Sequence, residues 1–162
     1  MAQRIKATKI GDVFEVVISE TEKRYMQYVV SDMNCLNSDV IRVFKRRYHK
    51  EEDNPNIEEI VTDEILFYKH CDTKHGIRLG LWKLYGNTAN VGNVNEIFFR
   101  DTDDHGDIVS SKWYSWRVNG EYQKIGKLDE ITRKIDIGYI YPAQLILYMI
   151  KNDGSFYGIE PR

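Results

Sequence analysis

Residues 101–107 read Asp-Thr-Asp-Asp-His-Gly-Asp, the densest run of metal-type oxygen ligands in the chain. An EF-hand calcium loop needs oxygen ligands at positions one, three and five, Gly at six and Glu at twelve. Asp101, Asp103 and Gly106 meet that pattern, but His105 and Lys112 occupy positions five and twelve. The segment is therefore expected to be a solvated acidic turn without calcium. His70, Cys71 and His75 offer nitrogen and sulfur donors close together. A structural zinc site takes four ligands, usually as two spaced pairs, and Cys35 stands alone. The expectation is a buried Cys71 with solvent-touching histidines, no metal and no cofactor.

His49, His70, His75 and His105 could in principle activate Ser110, Ser111 or Cys71, because a catalytic triad is defined by geometry. The sequence contains no Gly-x-Ser-x-Gly elbow, no Gly-x-x-x-x-Gly-Lys-Ser/Thr loop and no Gly-x-Gly-x-x-Gly turn. No catalytic residue is assigned, and a small hydrolase is the third of three readings. Residues 45–50, Lys-Arg-Arg-Tyr-His-Lys, mix cations with an aromatic ring, a pattern able to hold phosphates and stack a base. Glu51, Glu52 and Asp53 follow directly and are expected to offset that charge. The whole chain carries −2, without the basic excess of a phosphate-neutralising protein. A nucleic-acid-binding β-barrel module is thus the alternative reading rather than the leading one. Trp113, Tyr114, Ser115 and Trp116 alternate, placing Tyr114 with Trp116 on one face of a strand. Exposure of that face would make it a binding surface, since Trp and Tyr anchor interfaces.

The elements that must position these residues follow from periodicity. Residues 13–18 alternate as a strand, and residues 25–30 form a second one across a polar turn. Residues 40–44, 65–68 and 97–99 read as further strands. Residues 57–61 form one helical turn capped by Asn56. Asn119-Gly120 between residues 113–118 and 121–125 signals a hairpin with a type I′ turn, which needs positive φ at both positions. Residues 143–152 read as a buried helix, with Pro142 in its first turn and Gly154 just beyond its end; a strand over 144–150 is the rival. Residues 72–95 are left without an assignment, apart from Leu81, Trp82 and Leu84 contributing to a core. With 162 residues the chain fits a single domain. The fold class is α+β and β-dominated: an antiparallel twisted sheet or partly open barrel with a helix near the C-terminus.

Two cysteines indicate no disulfide framework. The longest apolar run, residues 145–150, is far short of the ~20 residues of a membrane span. No signal-like apolar region follows the first residues, so a cytoplasmic protein is expected.

Over residues 9–48 the chain resembles the bacterial immunity protein 26 family. The resemblance rests on Lys9-Ile-Gly-Asp-Val-Phe14, on Tyr25-Met-Gln-Tyr-Val29 and on Leu36-Asn-Ser-Asp-Val-Ile-Arg-Val-Phe-Lys45. A Gly-x-Trp at Gly80 to Trp82 and the Trp-rich strand at 113–116 are compatible with it. It implies a protein that neutralises a cognate toxin of a polymorphic toxin system by direct binding, and no catalytic residue is carried over from it. Physically, Phe14, Tyr28, Val40, Ile41 and Phe44 read as fold determinants. Arg42 is the exception in an apolar strand: it lies either on the wet face or in a pair, with Asp39 or Asp32 as candidate partners. Candidate partner-binding residues are the acidic Asp101, Asp103, Asp104 and Asp107, which would steer a basic toxin, together with Tyr114 and Trp116.

Overall fold

The computed structural model describes residues 4–104 and 109–155. Its core is an antiparallel sheet. Strands β1 (Asp12–Val17) and β2 (Glu22–Asp32) form the first hairpin, with Val13 opposite Gln27 and Phe14 opposite Met26. Strand β3 (Ser38–Phe44) pairs with β2, and the short β4 (Tyr48–His49) pairs with its beginning. β5 (Ile65–His70) and β6 (Lys83–Asn87) complete the order β5-β3-β2-β1-β6.

Alternation along these strands gives the sheet two buried faces. Phe14, Val16, Met26, Tyr28, Ile41, Val43 and Phe67 share one face. Helix α3 (Ala143–Lys151) covers it with Ala143, Ile146, Met149 and Ile150. The helix rather than the rival strand forms because its apolar residues recur at helical spacing. Pro142 caps it, and Gly154 (φ +85°) takes the left-handed conformation beyond its end and donates to the Met149 carbonyl. Arg24, buried on this face, clamps the helix by donating to the Ile150 and Lys45 carbonyls and pairing with Asp153.

The opposite face carries two apolar clusters. Val13, Tyr25, Phe44 and Tyr48 pack under helix α1 (Ile57–Val61), whose Asn56 cap accepts from the Glu59 amide at 2.8 Å. Val29 and Val40 pack under a second sheet of order β10-β7-β8-β9. Its strands are β7 (Phe98–Thr102), β8 (Trp113–Arg117), β9 (Gln123–Gly126) and β10 (Asp136–Ile137). β10 runs parallel to β7, and Ile140 then bridges to His70 of β5, so residues 136–141 stitch the two sheets together. β6 and β9 remain as outer edges, and the strip does not close into a barrel.

Residues 72–95 contain helix α2 (Thr73–Arg78), β6 and a short 3₁₀ turn at Val94–Glu96. Gly76 lets the Trp82 ring lie against α2, where the indole donates to the Thr73 carbonyl. Trp82 and Leu81 join the core as expected, but Leu84 does not. It lies on an edge strand and is 55% exposed. The β8–β9 hairpin forms, though without a type I′ turn. Only Asn119 has positive φ (61°), and the Gly120 amide closes back on the Arg117 carbonyl. The reason is tertiary: Asn119 is held by Ser31, Asp32 and Met33. Among the described residues, no helix is long and apolar enough to cross a membrane.

Candidate interaction surface

Pairing of β7 with β8 sets Asp101 opposite Tyr114 and Phe99 opposite Trp116 on the face turned toward the first sheet. Tyr114 and Trp116 stack with centroids 6.1 Å apart. Tyr122, at the start of the returning strand, meets both rings edge-on at 5.0 and 5.1 Å. Its own ring is 53% exposed. Trp116, by contrast, is 2% exposed and supports the group from beneath. Burial, reinforced by Asp101, pushes the Tyr114 phenol up to about 12. It donates to Asp101 at 3.3 Å and is neutral at physiological pH.

The acidic residues differ in availability. Asp104 accepts from Ser110 at 2.7 Å and pairs with Lys112 at 2.8 Å, bracing the base of the hairpin. Asp101 is half-buried and also accepts from the Thr102 amide. Asp103 is exposed, and together with Tyr114, Lys112 and Lys124 it lines a hollow of about 260 Å³. Asp107 lies outside the described residues, as do His105 and Gly106 of the calcium-loop pattern. The predicted set therefore splits: Asp101, Asp103 and Tyr114 come together, Trp116 lies below them, and Asp104 is tied to Lys112.

Sequence reasoning missed the group that anchors this surface. Asp32 at the end of β2 is fully buried and accepts three hydrogen bonds. They come from His70 Nε2 and Trp116 Nε1, both at 2.9 Å, and from the Asn119 amide at 3.2 Å. Burial alone would raise the Asp32 pKa. The donors reverse this, His70 first and then Trp116 and Asn119, and hold the carboxyl below its ordinary value. His70 packs against Phe99, the two rings tilted with centroids 4.1 Å apart. The solvent-touching role expected for His70 is thus overturned: it has no exposed surface, because its strand is covered by the second sheet. His49 and His75 are half-buried on separate elements. This Asp-His pair has no exposed surface and joins one sheet to the other. No single motif signals it, since Asp32, His70 and Trp116 are brought together only by strand pairing.

Other polar expectations resolve similarly. Lys45, Arg46 and Arg47 pair with Glu64, Glu59, Glu22 and Asp153, not with the expected Glu51, Glu52 and Asp53. Their charge is offset by residues distant in sequence because β4 and α1 fold back on this stretch. Cys71 is buried in the α3-side core and Cys35 half-buried under the second sheet, both as free thiols. Among the described residues, no group of three or more His, Cys, Asp or Glu is arranged to hold a metal ion. No protein-family model, no curated protein and no solved structure matches this chain.

Proposed function

We propose that this chain is an immunity protein that binds a cognate bacterial toxin by direct, stoichiometric contact and so neutralises it. The observation that carries the reading is the half-exposed Tyr122, propped edge-on against Tyr114 and Trp116, with the exposed Asp103 on the far side of Tyr114 in the same hollow as that ring. An aromatic side chain held rigidly at a surface loses little freedom on association, which is how interface hot spots work. The Asp32 network beneath stiffens that support. The seclusion of the Asp32–His70 pair favours binding over hydrolysis, and the resemblance over residues 9–48 supplies the toxin as partner. Those resembling residues lie in β1–β3 and build the sheet rather than the surface.

The test is co-expression with the C-terminal domain of the toxin encoded beside it. Rescue of growth and a co-purifying one-to-one complex are expected. Tyr122→Ala should weaken the complex by about 2 kcal/mol, roughly thirtyfold, as hot-spot truncations do. Asp103→Lys should slow association with a basic partner. Toxicity without rescue or complex formation would overturn the pairing. Rescue unaffected by both substitutions would move the contact elsewhere on the molecule.

A further inference from the structure

Arg42 lies on β3 between Val40 and Phe44, which point to the same face. Val40 belongs to the cluster under the second sheet and Phe44 to the cluster under α1. Arg42 therefore falls on the seam between them and is 5% exposed. The wet-face alternative is thereby excluded, and neither candidate partner, Asp39 or Asp32, pairs with it. Asp39 accepts from the backbone and side chain of Thr73, and Asp32 serves His70, Trp116 and Asn119. Instead, Arg42 Nε donates to Gln27 Oε1 at 2.9 Å, and one terminal nitrogen, Nη2, donates to the Asn90 carbonyl at 3.1 Å. The guanidinium also sits over the Phe44 ring at 5.1 Å. Every one of these partners is neutral. Among the described residues, no carboxylate oxygen approaches it within 4.0 Å.

An arginine keeps its proton in a protein, so this is a buried positive charge without a counter-charge. Such a group is costly unless something compensates it. Burial lowers its pKa, and only the Tyr68 phenol across the β3–β5 ladder acts in the other direction. The other terminal nitrogen, Nη1, has no acceptor among the described residues. It faces Gly92, where a Cβ would lie 2.5 Å away. Gly92 (φ +72°) packs on this nitrogen without a side chain to cover it, and Nη1 keeps some contact with solvent although Arg42 as a whole is 5% exposed.

We propose that Arg42 is the centre of a subsite for a small oxyanion, a carboxylate or phosphate. The anion approaches over Gly92 and accepts from the open nitrogen, beside the Tyr68 phenol. The geometry suits an oxyanion because the guanidinium presents a fixed planar fork of donors. Two carboxylates act on Tyr68, Asp136 and then Glu96; Asp136 is paired with Lys69, which leaves the exposed Glu96 as the competitor to test. This inference does not depend on the toxin-binding reading.

The test follows the Arg42 Nε–H resonance of the full chain by nitrogen-15 NMR. Inorganic phosphate and acetate are titrated separately, with chloride at matched ionic strength as control. A saturable shift with either oxyanion is expected, and whichever saturates at lower concentration identifies the preferred chemistry. Arg42→Gln should weaken binding by about tenfold or more, read as loss of oxyanion-dependent thermal stabilisation. The wild-type titration needs no variant, so a poorly folded Arg42→Gln leaves the decision intact. A response no larger than that to chloride would overturn the proposal. So would a resonance that is unmoved by oxyanions but shifts in Glu96→Gln, which would make Glu96 the counter-charge.

Discussion

Substituting Asp32 by Asn keeps the shape of the side chain and changes only its charge and one donor–acceptor pattern. The Asn carbonyl can take the place of Oδ2 and accept from His70 and Trp116. Its amide then faces the Asn119 N–H, donor against donor, at a site with no exposed surface. An unsatisfied buried donor costs about 1–3 kcal/mol, and each bond retained to a neutral acceptor is about 1 kcal/mol weaker than one to a carboxylate. Relief of the buried charge works in the opposite direction, but the depressed pKa shows that the donors outweigh burial. We expect a loss of about 3 kcal/mol, or a melting temperature lower by roughly 6–12 °C for a domain of this size. The pH dependence carries the sign. Because folding lowers the Asp32 pKa below its ordinary 3.8, the stabilisation is complete above that value and disappears as pH falls through the folded-state pKa. Urea titrations of wild type and Asp32→Asn between pH 2 and pH 7 (~1 unit steps) should therefore converge at the acid end. An equal or higher melting temperature for Asp32→Asn at neutral pH would refute the reasoning, since it would mean that desolvation of the carboxylate wins.

Three further outcomes test the packing and the thiols. Gly138→Ala would put a methyl group 2.1 Å from the Trp116 ring and 3.0 Å from the Phe99 Cβ. Overpacking of this kind should cost about 2 kcal/mol, measurable as a lower urea midpoint; an unchanged midpoint would show that the second sheet yields. Gly76→Ala would meet the Trp82 ring at 1.8 Å and should destabilise by about 2 kcal/mol or more, measured in the same way. Burial pushes both thiols above their ordinary pKa, Cys71 much further than Cys35. Native alkylation at pH 8 followed by mass spectrometry should thus give a single slow adduct on Cys35, with Cys71 reacting only after unfolding.

The first sheet was legible in the sequence because its strands alternate. Phe14, Val16 and Met26, Tyr28 each fall on one face by period two, and α3 carries both end signals, Pro142 and Gly154. Residues 72–95 were not legible, because their structure is set by remote partners. Helix α2 has only six residues and contains Gly76, a poor helix former placed there to admit Trp82. The Asn119-Gly120 turn shows the same override. The local signal for a hairpin was right, but the backbone of Asn119 answers to Asp32, 87 residues away, rather than to its neighbour.

Local patterns were equally blind to the polar core. Asp32 and Arg42 are ten residues apart on the same hairpin, and opposite charge made them natural partners on paper. The β2–β3 register instead places Arg42 against Gln27 and leaves Asp32 opposite Ser38. Each charge then meets a different chemistry. Asp32 is surrounded by three donors and depends on them, so the anion is complete within the fold. Arg42 has only neutral acceptors and one unpartnered nitrogen beside Gly92, so the cation is incomplete within the fold. A buried anion that is fully satisfied stiffens the support under Tyr122, whereas a buried cation that is not satisfied is where the molecule still has affinity to express. That difference, and not the acidic run at 101–107, is why the two charges of β2 and β3 lead to separate experiments, one on stability and one on binding.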